Sequence, residues 1–167
     1  MDDKSVWGLE TGDEIVPGRL ALTLLGGGER FETYLAWDSR LFTTVVAKVL
    51  RPSFVEHDRA RADLRREAAH VLALNHPVIV RAYELVDDGA RPHLVLEHLD
   101  GPTLRSTLRR QRGKASLEEL LPLALHLCSA LHYLRGRGIV HLDVKPLNII
   151  MGPISPRRPG SHCSGAM

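Results

Sequence analysis

The chain has 167 residues, 44% of them hydrophobic and 25% charged, with 22 Lys and Arg against 20 Asp and Glu. That is enough for one domain or two small lobes, and a net charge of +2 implies no dedicated nucleic-acid or other polyanion partner. Two cysteines exclude a disulfide framework, no apolar run reaches membrane-spanning length, and the acidic start lacks the apolar stretch of a signal peptide, so a cytoplasmic protein is expected.

Residues 1–14 read as an amino-terminal extension. Leu20 to Leu25 is strand-like and runs into Gly26-Gly27-Gly28. Beyond it Phe31, Thr33, Leu35 and Trp37 alternate with Glu32, Tyr34, Ala36 and Asp38, the period of two of a second strand. The glycines therefore join two strands, whereas a dinucleotide-binding turn or a Walker loop would open a helix. Such a hairpin is either a plain flexible turn or one whose amides fold over phosphates. The strand Thr44 to Leu50 is apolar and β-branched with one charge, Lys48. An ammonium there is costly unless paired, or the strand lies at an edge and the lysine reaches water.

Asp58 to Leu74 places Ala60, Leu64, Ala68, Val71 and Leu72 at helical spacings of three and four. Its Glu67 is open to pairing with Lys48 or, as a solvated charge, with Arg59, Arg65 or Arg66. Pro92 to Leu99 reads as a buried strand ending in the turn Asp100-Gly101-Pro102. Thr103 caps a short helix through about Arg110, which Gln111-Arg112-Gly113-Lys114 breaks. Ser116-Leu117-Glu118-Glu119 is a capping box, opening a helix with the apolar stripe Leu120, Leu123, Leu127, Leu131 and Leu134. Pro122 costs a hydrogen bond and moves the expected start toward Leu121; Gly136 and Gly138 end the helix. The basic stretches at 59–66 and 109–114 read as a solvated helix face and a loop, and the nine histidines show no metal-ligand spacing.

His141 to Ile150 then sets an acid, a cation and an amide at fixed offsets. Asp143 can orient a hydroxyl and accept its proton, Lys145 can neutralise a moving phosphate, and Asn148 can hold a metal through its carbonyl oxygen. Met151 to Met167 is rich in Pro, Gly, Ser and Arg without apolar periodicity and reads as a disordered tail.

The pattern H-x-D-x-K-P-x-N from His141 to Asn148 resembles the catalytic loop of Ser/Thr protein kinases. The earlier elements follow in kinase order. Leu25 to Tyr34 is similar to the glycine-rich loop, with Gly26 and Gly28 as its first two glycines, Phe31 where a third is usual, and Thr33 in place of the valine that covers adenine. Val45 to Lys48 resembles V-A-I-K, Asn75 to Val80 the link after the regulatory helix, and Pro92 to Leu99 the hinge. The resemblance spans about Ile15 to Ile150 and is to bacterial, actinobacterial-type kinases, because Lys145 gives the Ser/Thr form of the loop.

This resemblance implies an α+β, protein-kinase-like fold. Residues 15–97 would form an antiparallel β-sheet lobe with one regulatory helix, and residues 98–150 the hinge, first helices and catalytic loop of an incomplete helical lobe. The implied reaction is transfer of phosphate from ATP, with Mg2+, to a protein Ser or Thr hydroxyl. Lys48 and Glu67 would align the phosphates under Gly26 and Gly28. Thr33, Val46, Leu96 as gatekeeper, Glu97 and Leu99 would surround adenine. Asp143, Lys145 and Asn148 would be catalytic, Asn148 also binding metal, and His141 would pack to brace the loop. Leu142 replaces the arginine that reads a phosphorylated activation loop, so that switch is not implied.

No D-F-G or A-P-E segment follows Ile150 in these 167 residues. The expectation is a premature or frame-shifted end of a kinase gene, with activity of this chain alone weak or absent and an exposed leucine stripe open to a covering partner. The alternative class is a non-catalytic nucleotide-binding or protein-interaction module.

Overall fold

The computed structural model describes residues 6–112 and 116–152. The chain divides into two compact units: residues up to Asn75 with Val80–His98, and His76–Ile79 with residues from Leu99 onward. The breaker at Gly113-Lys114, Cys163 and most of the expected tail lie outside the described residues.

The first unit holds β1 (Glu14–Val16), β2 (Arg19–Gly27), β3 (Phe31–Asp38), β4 (Thr43–Leu50), α1 (Pro52–Val55), α2 (Asp58–Leu72), β5 (Ala82–Val86) and β6 (His93–Glu97). The strands form one antiparallel sheet in the order β1-β2-β3-β4-β6-β5. Strands β1 and β5 carry too little alternation to be read from sequence; pairing to a neighbour makes them strands.

The period of two along β3 is present, and the set it buries is the polar-bearing one. Glu32, Tyr34, Ala36 and Asp38 are buried, while Phe31, Thr33, Leu35 and Trp37 are half-buried. The buried set shares its face with Val45, Ala47, Val49, Ile15, Ala21 and Val95, and Trp7 and Leu9 pack over this cluster. Burying two carboxylates there requires partners. Glu32 accepts from the Tyr34 hydroxyl at 2.5 Å and from the Trp7 amide at 3.2 Å, while the Trp7 indole donates to the Leu50 carbonyl at 2.8 Å and lies under the Arg91 guanidinium. Burial, with Glu32 alongside, pushes the Tyr34 phenol up to about 12.

Asp38 accepts from the Arg19 guanidinium, which also bonds Glu84. Arg19 Nη1 lies 2.6 Å from His93 Nε2, and His93 Nδ1 lies 2.7 Å from the Arg91 carbonyl oxygen. A carbonyl can only accept, so Nδ1 carries the proton and Nε2 accepts from Arg19. Burial first, then the adjacent Arg19, pulls His93 down to about 4.

On the opposite face α2 packs Leu64 and Ala68 against Ala82 and Leu94, with Phe31, Val71, Leu85 and Leu96 around them. The helix ends at Leu72, short of the expected Leu74, because the chain tightens into a turn in which the Leu74 amide bonds the Val71 carbonyl.

In the second unit α3 (Leu104–Arg110) is capped by Thr103, whose side chain accepts from the Ser106 amide at 3.2 Å. Helix α4 (Leu117–Gly136) opens with the complete Ser116–Glu119 capping box. The expected delay of its start to Leu121 is corrected: Pro122 lies inside the helix. The capping box satisfies the amides at the start, and the carbonyl that Pro122 leaves without an amide, that of exposed Glu118, can bond water. Gly138, at φ +71°, turns the chain out of the helix in a conformation that disfavours other residues.

His76 stacks on Tyr133 at 4.9 Å and bonds Ser129 of α4 at 3.2 Å. Thr103 bridges Ile150, the Leu104 amide donates to the Ile149 carbonyl and the Met151 amide to that of Pro102, each at 2.8 Å. These bonds tie the start of α3 to the loop that ends in the short 3-10 turn Pro146–Asn148. Of the leucine stripe, Leu134 is buried, whereas Leu120 and Leu131 are exposed, as are Leu117, Leu121 and Leu125 beside them.

Candidate active site

Lys48 sits in the middle of β4, opposite Thr33 on β3 and Leu94 on β6. It is an interior strand, so the edge-strand escape to water is closed and the ammonium needs a counter-charge. Glu67 supplies it from α2: Nζ donates to Oε1 at 2.6 Å and to Oε2 at 2.8 Å. Of the arginines of α2, Arg61 and Arg65 pair with Asp87 and Arg66 with Asp63 rather than with Glu67.

The Lys48 ammonium also lies 4.5 Å from the centroid of the Phe31 ring. Sequence reasoning placed Phe31 in the glycine-loop position but not against Lys48. The alternation of β3 put Phe31 and Thr33 on one face, and the pairing of Thr33 with Lys48 completes the contact.

The glycine segment is a hairpin between β2 and β3, closed by the Gly28 amide donating to the Phe31 carbonyl at 3.0 Å. Gly26 and Gly28, the two singled out from sequence, have open space where a side chain would stand. The glycine that packing requires is Gly27, where a Cβ would lie 2.9 Å from the Phe31 carbonyl oxygen. The hairpin is tethered to α2, since Arg30 Nη1 bonds Asp63 Oδ2 at 2.8 Å.

Val46 and Leu96 are direct partners across β4 and β6 and share the Lys48 face. Glu97 ends β6, and its carboxylate accepts from the Arg81 amide at 3.2 Å. Leu99 belongs to the second unit.

In the second unit the loop residues converge. Asp143 Oδ2 accepts from Lys145 Nζ at 2.7 Å and from Asn148 Nδ2 at 2.9 Å, and Asn148 Nδ2 also donates to the Asp143 carbonyl at 3.0 Å. Lys145, then Asn148, holds the Asp143 carboxyl below its usual range, so it is a carboxylate at neutral pH. Its Oδ1 has no hydrogen bond among the described residues and is free to accept one from an incoming hydroxyl. His141, expected to pack, is instead exposed, with Nδ1 3.4 Å from the Asp143 amide. No described element of the unit covers it. Arg105, Lys145, Pro146 and Leu147 line a depression beside this loop, two cations on one rim.

An antiparallel sheet whose packed helix lends a carboxylate to a strand lysine, with a separate Asp-Lys-Asn loop, is the architecture of a kinase-like phosphotransferase. Comparison with known proteins agrees. A family model described as "Protein kinase domain" matches residues 21–154. The chain is 38% identical over 132 residues to a Streptomyces coelicolor protein named "Probable serine/threonine-protein kinase", covering 77% of this chain and 20% of that protein. It is 36% identical to serine/threonine-protein kinase PknB of Mycobacterium leprae, with 77% and 21% covered. The chain therefore belongs to the protein kinase family, and the resemblance to bacterial Ser/Thr kinases and the α+β kinase-like fold are borne out. The crystal structure of the Mycobacterium tuberculosis PknI kinase domain superposes with a TM-score of 0.71 at 23% identity, covering 87% of this chain and 59% of that one, which speaks for the fold. The chain spans about a fifth of the length of the curated relatives it matches.

Proposed function

We propose that this chain carries the nucleotide-binding and phosphoryl-transfer residues of a serine/threonine protein kinase, with ATP as donor and a protein Ser or Thr hydroxyl as acceptor. The observation that carries the reading is the Lys48–Glu67 pair at 2.6 and 2.8 Å. A carboxylate gripping an ammonium beside a glycine hairpin holds a positive charge still, and phosphoryl transfer depends mostly on such positioning and charge neutralisation.

In this reading residues 15–97 are the sheet lobe, and 98–150 the hinge and catalytic-loop portion. Lys48 neutralises the α- and β-phosphates, Glu67 aims it, and Gly26 and Gly28 offer amides. Thr33, Val46 and Leu96 line adenine, whose edge bonds the backbone of Glu97 and Leu99. Asp143 orients the hydroxyl through Oδ1 and takes its proton, while Lys145 turns to the γ-phosphate. Asn148 spends its amide nitrogen on Asp143, so its carbonyl oxygen is the atom left for a hard cation. One neutral oxygen suits a magnesium that draws its other ligands from phosphate and water, and that ion would supply charge neutralisation when bound.

A cytoplasmic setting belongs to this reading; no helix among the described residues is long and apolar enough to cross a membrane. The exposed leucines of α4 suit a covering partner. The second reading, nucleotide binding without transfer, is favoured by the aromatic ring that covers Lys48.

The test compares incorporation of labelled phosphate from ATP by the wild-type chain and its Lys48→Met and Asp143→Asn variants. Transfer lost in both supports the kinase reading; equal incorporation by wild type and Asp143→Asn sinks it. An ATP-dependent rise in Tm without transfer supports the binding module.

A further inference from the structure

The geometry points to Phe31 as a specificity-determining residue of the nucleotide site: its ring covers the Lys48 ammonium and competes with nucleotide phosphates for it. This rests on the nucleotide-binding reading above. Three observations carry it.

The first is register. Phe31 pairs with Leu50 and Thr33 with Lys48, so Phe31 and Lys48 are diagonal neighbours on one face of the sheet, within reach of a long side chain and an aromatic ring.

The second is the saturation of the ammonium. Two of its three N–H directions go to the Glu67 oxygens at 2.6 and 2.8 Å, and the ring centroid lies 4.5 Å from Nζ. A phosphate approaching Lys48 must share a charge that a carboxylate and a π face already hold.

The third is that the ring is held. It packs against the cluster of Leu64, Ala68 and Leu94. The residues around it are also fixed: Arg30 bonds Asp63 at 2.8 Å, and the Phe31 carbonyl accepts from the Gly28 amide at 3.0 Å. Swinging the ring away therefore forfeits apolar packing.

Phe31 stands sixth in Gly26-x-Gly28-x-x-Phe31, and a small residue there would leave the ammonium open. The consequence is selective. Adenosine asks nothing of Lys48 and is unhindered, whereas ATP must displace the ring or accept a weakened contact. The site therefore gains less from the phosphates than an uncovered lysine would give.

Calorimetric titration of the full 167-residue chain with ATP and with adenosine, magnesium chloride present, tests this on wild type, Phe31→Ser and Phe31→Leu. The serine variant is expected to bind ATP roughly threefold to thirtyfold more tightly, the span of a lost cation–π competitor, with adenosine unchanged. The leucine variant keeps the apolar packing and removes the π face. It gains toward the lower end of that range and replaces the serine variant if that one fails to fold. An unchanged ratio of ATP to adenosine affinity in folded variants overturns the role of Phe31 and leaves the nucleotide site standing. Equal gains for both ligands also overturn it, since the ring would then block the whole site. Binding of neither ligand by any variant overturns both readings.

Discussion

His93 has no exposed surface and stays neutral at physiological pH because burial and Arg19 hold it at about 4 against 6.5 when free. Between those values the unfolded chain binds the proton and the folded chain does not. Stability is therefore fully present above pH 6.5 and falls as the pH drops toward 4, by about 3 kcal/mol in all. The neighbouring acids act lower: Asp38 and Glu84 have carboxyls below their ordinary 3.8 and 4.5, so their contribution is lost only beneath those values. Urea unfolding at pH 7 and pH 5 isolates the histidine. Wild type should lose about 2 kcal/mol between the two, and His93→Gln should show little of that loss. Lys48 and Glu67 behave differently, since their side chains are 26% and 40% exposed. Solvent screening makes the pair worth no more than about 1 kcal/mol. Glu67→Gln should leave Tm nearly unchanged while weakening ATP binding severalfold, measured by titration; equal losses of both would show a structural role alone.

Among the elements, α4 shows which local signals sufficed. The Ser116 cap, the Glu119 that answers it and the Gly138 exit were legible because each acts over a few residues of backbone. Pro122 was misread because its lost hydrogen bond was given more weight than the capping box, although the Glu118 carbonyl it leaves free is exposed and can bond water. Two substitutions separate the terms. Ser116→Ala should lower stability by about 1 kcal/mol through loss of the cap. Pro122→Ala should raise it by about 1–3 kcal/mol by restoring an amide to the Glu118 carbonyl. Both are read as Tm shifts, and a fall in Tm for Pro122→Ala would mean that the ring of this exposed proline is packed in solution. The strands illustrate the opposite limit. Alternation along β3 announced two faces, yet both faces carried apolar and polar residues, so which face would be buried was not legible from β3 itself.

For the molecule as a whole, the first unit is well buried while α4 of the second presents Leu121 and Leu125 at 55% and 62% exposure. Side chains so exposed contribute little to folding of the chain itself. The double substitution Leu121→Glu with Leu125→Glu should hold Tm within about 1 kcal/mol equivalent of wild type and raise the concentration at which the chain stays dispersed, followed by light scattering. A large drop in Tm would show that these leucines are packed in solution.

By itself the sequence determined the order of elements, the helix caps, the glycine hairpin and the spacing of Asp143, Lys145 and Asn148, because these depend on backbone preferences and side-chain offsets within a few residues. That was also sufficient to mark the kinase family. Tertiary structure decided what distant residues do to one another. It chose Glu67, 19 residues away, as the partner of Lys48, drew Arg19 to His93 across 74 residues, laid Trp7 over the face that buries Glu32 and Asp38, and set the Phe31 ring against Lys48. The physical reason is common to all four: a charge or a ring shows in sequence that it needs a partner, but only the pairing of strands and the seating of α2 determine which partner comes within reach.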